Sequence, residues 1–155
     1  MILTDTVAAV PALGAGMRAS LSRTVHEIDS VVFAVISGDD NPLHLKPDYA
    51  ATTRFGRPIA HGMLVAGLIS ALLGSRLPGP GSIYLSQNLR FLAPVYFGDT
   101  ITAAVEVVSI RPDKPVVALH TTCVNQRGEM VIDGEANVLV PNLGEPERPL
   151  ASLLN

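Results

Sequence analysis

Between Gly62 and Gly74 the chain runs GMLVAGLISALLG, 13 residues without a charge and with a single hydroxyl, Ser70. Residues of this kind favour helix, and a helix that is apolar on every side has to be enclosed by the rest of its domain. The run is short of the roughly 20 residues that a bilayer span needs, so it reads as a core helix and not a membrane anchor. Its end is marked by LPGPGS at residues 77–82, where two prolines and two glycines forbid continuation. What remains of the chain must supply the walls around it.

Downstream lie four strand-like stretches, Ile83 to Leu92, Thr100 to Ile110, Val116 to Asn125 and Met130 to Val140. The separators RPDKP and Gln126 to Glu129 are short and rich in turn formers, so the last three stretches are expected to form antiparallel hairpins. Upstream, Ser20 to Glu27 alternates imperfectly between apolar and polar residues and reads as a half-buried strand carrying His26. Asp29 or Ser30 is placed to cap a short helix through Ile36, which Ser37-Gly38 breaks. The turn-rich DDNPLHLKP follows, then a helix over Pro47 to Thr53, and a loop from Arg54 to Ile59. One strand, a helical region and four consecutive strands make an α+β pattern. The expectation is a single hot-dog domain over residues 19–141: a curved antiparallel sheet of about five strands wrapped around a long central helix, with a helical and loop overhang. Residues 1–18 read as an arm and 142–155 as a surface tail.

With 155 residues, 48% hydrophobic and 16% charged, the chain can bury roughly 70% of its unfolded surface without metal or disulfide support. A net charge of −3 and only two lysines, Lys46 and Lys114, leave no basic stripe for a nucleic-acid backbone. A lone Cys123 and the absence of any Asn-x-Ser/Thr acceptor suit a cytoplasmic setting. Asp5 precedes the apolar residues Val7 to Val10, and no basic residue comes before Arg18, which makes a poor signal peptide. Cys123 and His120 share one predicted strand, the first as a small core residue, and neither calls for a function.

Four polar features stand out: SGDDNPLH at residues 37–44, Ala60-His-Gly62 where the apolar helix begins, Ser70 within it, and Gln87 with Asn88 on a strand. Asp39 and His44 lie five residues apart across a proline turn, close enough for a carboxylate and an imidazole to converge on one water as a general acid/base pair. The same residues serve equally well as turn and capping groups. With His61 they also make a two-histidine, one-carboxylate set, although the spacing matches no short metal motif. At Gly62 a helix N-terminus offers unpaired amides to an oxyanion, and a glycine lets a ligand carbonyl come close; a permissive helix start would read the same way. Ser70 can simply bond the carbonyl four residues back. No nucleophile elbow, phosphate loop, dinucleotide fingerprint or His-Glu-x-x-His pair is present.

SGDDNPLH, followed by FGRPIAHGM and then by PGPGSIYLSQNLRFLAPVYFGDTITAAVEV, resembles the (R)-specific enoyl-CoA hydratases of the MaoC-like dehydratase group of hot-dog proteins. The likeness extends from about Ser20 to Pro141. It implies reversible syn hydration of a trans-2-enoyl-CoA to the (R)-3-hydroxyacyl-CoA, as in supply of monomers for polyhydroxyalkanoate. By the same likeness Asp39 and His44 match the acid/base pair, and Asn41 the asparagine between them. Gly62 matches the residue whose amide binds the thioester oxygen, and Ser70 falls where short members have a serine near the reacting centre. The resemblance further implies no metal or redox cofactor, coenzyme A entering as part of the substrate, and a homodimer. Arg54, Arg57, Arg76 and Arg90 lie near the signature as solvated side chains or phosphate contacts. An acyl-CoA thioesterase and a non-catalytic acyl-CoA-binding module are the alternative uses of such a cleft.

Overall fold

The structure, a computed structural model, describes residues 12–141 and 143. The first 11 residues of the expected arm, and all of the expected tail except Leu143, lie outside the described residues. In chain order the elements are β1 (Arg18–Thr24), α1 (Glu27–Ser37), α2 (Pro42–Leu45), α3 (Pro47–Ala51), α4 (Gly62–Ser75), β2 (Ile83–Phe91), β3 (Thr100–Ile110), β4 (Val116–Val124) and β5 (Met130–Leu139). The strands form one sheet in the order β1-β3-β4-β5-β2, every neighbour antiparallel. This is the expected five-stranded hot-dog arrangement, with the hairpins β3–β4 and β4–β5 where the two short separators put them.

Alternation makes the sheet two-faced. Ile101, Ala103, Val105 and Val107 of β3 and Val117, Leu119, Thr121 and Cys123 of β4 turn to the buried side. There they meet Val65, Ile69, Leu72 and Leu73 of α4. A fully buried leucine or isoleucine such as Leu72 or Ile69 contributes about 1.5–3 kcal/mol, so this seam holds the domain together. Burial pushes the Cys123 thiol up to about 12, as befits a core residue. Among the described residues no helix is long and apolar enough to cross a membrane.

Three expectations need correction. The enclosing of α4 is one-sided: Met63, Gly67, Ser70, Ala71 and Gly74 form an exposed face. Apart from Met63 these residues are small, so the open side carries little apolar area although no charge marks it. The first strand starts earlier and ends earlier than Ser20 to Glu27, because Gly16 and Met17 already pair with Val107 while Asp29 captures the His26 amide at 2.8 Å and starts α1 there. His26 is therefore the N-cap of α1 and lies off the strand, and Asp29 acts from the first turn and not as the cap. The turn-rich DDNPLHLKP contains a short helix, α2, because Asn41 accepts from the Leu43 amide at 3.0 Å and Pro42 occupies the first helical position.

Gln87 and Asn88 have structural work on β2. Gln87 reaches over Gly134 of β5 and donates to the buried Thr121 hydroxyl on β4 at 2.9 Å, while Asn88 accepts from the Glu135 amide at 3.0 Å. A Cβ at Gly134 would stand 2.1 Å from the Asn88 carbonyl oxygen, so the crossing requires glycine.

Candidate active site

The overhang from α1 to the start of α4 brings the signature residues together. α2 is only one turn long, and its cap by Asn41 aims His44 back at the extended segment that precedes α4. There His44 Nδ1 lies 2.8 Å from the Ile59 carbonyl. A carbonyl can only accept, so Nδ1 carries the hydrogen and Nε2 keeps its lone pair. Burial lowers the His44 pKa below the ordinary value; the Ile59 bond opposes this, His61 reinforces it and Asp39 opposes it, with the net direction downward. The imidazole is therefore held neutral and ready to accept a proton.

Asp39 follows the end of α1, where Gly38 closes the helix onto Ala34. Its amide is bonded to the Ser37 hydroxyl at 3.1 Å, and its Oδ1 accepts weakly from the Asn41 amide at 3.3 Å. The Asp39 backbone carbonyl accepts from His61 Nε2 at 3.0 Å, and Oδ2 lies 3.9 Å from the same nitrogen. His61 is 1% exposed. Its ring lies against that of His44 with centroids 3.9 Å apart, and its Nδ1 is 3.2 Å from the buried Ser30 hydroxyl. Gly62 is the first residue of α4, so its amide has no acceptor within the helix. The Phe91 ring packs so close that a Cβ at Gly62 would stand 2.7 Å from it.

Asp39, His44 and Gly62 line one cavity of about 390 Å³. Its remaining walls are largely apolar, among them Ile59, Val95 and Ile132, with the exposed Arg54 as its cation. A carboxylate, a neutral imidazole and a free amide around one apolar space can bind a water, take its proton and stabilise a developing oxyanion. Ser70 stands apart from them. It is exposed and lines a neighbouring cavity of about 640 Å³ with Leu85 and Gln87; Met63 and Phe91 wall both spaces. Asn41 is spent on the α2 cap and does not line the cavity that Asp39, His44 and Gly62 share.

Asp39, His44 and His61 offer ligand atoms within 4.8 Å of one another. As a metal set they are compromised, because His61 Nε2 already donates to the Asp39 carbonyl and His44 Nδ1 to the Ile59 carbonyl. Arg76 and Arg90 are occupied by the Ser20 carbonyl and by Asp133, which also holds His120, while Arg57 lies over the Tyr96 ring. The sequence placed His61 at the helix entry and as a metal candidate, and Ser30 as a possible cap of α1, a role that falls to His26 while Ser30 meets His61; the Ile59 carbonyl was passed over. A histidine directly before an apolar helix was the one available signal, since its neighbours predict burial; nothing local to Ser30 betrays its partner 31 residues away.

A MaoC-like domain matches residues 8–127 of the chain. An (R)-specific enoyl-CoA hydratase of Rhodospirillum rubrum is 54% identical over 129 residues, covering 83% of this chain and 89% of that protein. One from Aeromonas caviae is 51% identical over 129 residues, covering 83% of this chain and 96% of its own length. The solved structure of an A. caviae (R)-hydratase involved in PHA biosynthesis superposes with a TM-score of 0.82 at 50% identity, over 84% of this chain and 99% of that one. By sequence and by fold alike, the chain belongs to the MaoC-like family.

Proposed function

We propose that the protein is an (R)-specific enoyl-CoA hydratase, adding water reversibly across the double bond of a trans-2-enoyl-CoA to give the (R)-3-hydroxyacyl-CoA. The observation that carries this reading is the convergence of Asp39, His44 and the Gly62 amide on one cavity, in a chain about half identical to proteins of that name. The water lies between the carboxylate and His44 Nε2, and its proton passes to this pair as its oxygen bonds to C3. Negative charge then gathers on the thioester oxygen, where the Gly62 amide receives it. The pair returns one proton to C2 on the same face, so the enzyme ends as it began and no metal or redox group is required. One preorganised oxyanion donor lowers the barrier by about 2.7–4 kcal/mol, and a positioned acid/base group accelerates by about 10² to 10⁴-fold.

The reading includes a homodimer joined through β2. That edge strand exposes Ile83, Tyr84, Leu85 and Phe91, more apolar surface than a sheet edge in water normally shows. Purified protein mixed with crotonyl-CoA is expected to lower the absorbance of the conjugated enoyl thioester to its equilibrium level without releasing thiol. Folded protein that leaves short and medium enoyl-CoAs unchanged refutes the hydratase, and thiol release in its place identifies a thioesterase.

A further inference from the structure

We infer that His61, fixed in one tautomer by the Asp39 carbonyl and held in place by Ser30, is the positioning residue that keeps Asp39 and His44 aligned for proton transfer; the inference rests on the hydratase reading of the same cavity. Three contacts converge on one buried ring. Nε2 faces the Asp39 carbonyl at 3.0 Å, and because a carbonyl only accepts, that nitrogen bears the hydrogen. Nδ1 is then a lone-pair acceptor, and the Ser30 hydroxyl 3.2 Å away must donate to it. With Ser30 at 0% and His61 at 1% exposure, water does not compete for the Nδ1 bond. The ring face lies on His44, whose far side is tied to Ile59.

Ile59 and His61 belong to the same four-residue segment as Gly62. Through it, the Ile59 carbonyl sets the His44 tautomer, the His61 ring sets the Asp39 backbone and the tilt of His44, and the Gly62 amide faces the substrate oxygen. Both nitrogens of His61 are engaged by protein groups, so it neither takes nor gives the reacting proton. Its contribution is to the geometry of the two residues that do. A displacement of about 1 Å at such a centre costs about 10²-fold in rate.

The test compares His61→Phe, His61→Gln and Ser30→Ala for kcat and KM on crotonyl-CoA, with circular dichroism to confirm folding. Phenylalanine keeps the ring and loses the donor, and is expected to lower kcat about 10²-fold with KM little changed. Glutamine carries an amide N–H near the position of Nε2, and is expected to recover kcat to within about tenfold of the parent; Ser30→Ala is expected to lose about fivefold, the scale of one hydrogen bond. Folded His61→Gln as slow as His61→Phe, or His61→Phe with parental kcat, overturns the inference. Nitrogen NMR of the unmodified protein decides the case even where the variants do not fold: a hydrogen on Nε2 of His61 supports it, and one on Nδ1 refutes it. Parent enzyme without hydratase activity would count against the function and not against this tautomer, which the NMR reads independently.

Discussion

His44 has one ring nitrogen committed to Ile59 and the other open to the cavity, and this division of labour gives the site its polarity. If His44 and Asp39 act on the proton in flight, Asp39→Asn and His44→Ala should each lower kcat by about 10² to 10⁴-fold while KM stays within a few-fold, in steady-state hydration of crotonyl-CoA. An effect mainly on KM would place them in binding. Burial, opposed by the Ile59 bond, sets the His44 pKa below its ordinary 6.5, so the neutral base persists in acid where a solvated histidine has become protonated. The acid limb of the hydration kcat/KM should therefore have its midpoint below pH 6.5, as a pH-rate profile would show. Asp39 and His44 were legible as a pair because a proline turn separates them by only five residues. His61 as their support was not, since a hydrogen bond from an imidazole to a carbonyl 22 residues earlier leaves no pattern in composition or spacing.

Among the elements, the connection between β2 and β3 acts as a brace for the segment ahead of α4. The Ala60 amide donates to the Val95 carbonyl at 2.8 Å, and Ile59 forms a bridge with Tyr96, whose hydroxyl donates to the Phe55 carbonyl at 3.2 Å. Asp99 locks this connection by accepting from the Tyr96 amide at 3.0 Å and from Gln126 at 2.7 Å. Burial pushes the Asp99 carboxyl up, but Gln126, the Tyr96 amide and Arg127 more than offset it and hold the group below the usual carboxylate range. The strands themselves were readable from alternation and turn residues to within a residue or two. The β1–α1 boundary was not, because Val25 is buried by pairing with Gly98 and Asp99, residues that the sequence places far downstream. Gly134→Ala tests the sheet. With 2.1 Å between the new Cβ and the Asn88 carbonyl, β2 must separate from β5, at a cost of about 3 kcal/mol or a Tm loss of roughly 6–12 °C by calorimetry. Unchanged Tm would mean that the two strands tolerate a wider spacing.

At the scale of the molecule, the one-sided burial of α4 and the apolar edge of β2 lie together, since Met63, Gly67 and Ser70 share a cavity wall with Leu85 and Phe91. An uncharged run that predicts complete enclosure is covered within one copy only on the side of the sheet, and the proposed dimer would cover the rest. Sedimentation equilibrium should give a mass twice the 16.3 kDa of one chain, and Leu85→Asp, which puts a charge on the exposed edge, should shift it toward the single-chain value. A monodisperse monomer for the parent protein would refute the pairing. The groups proposed to handle the proton and the oxyanion all fall between Asp39 and Gly62, whereas the walls of the two cavities are drawn from α4 and also from β2 and β5. Substitutions on those strands can therefore reshape the space beside the proposed centre without touching the residues that would move the proton.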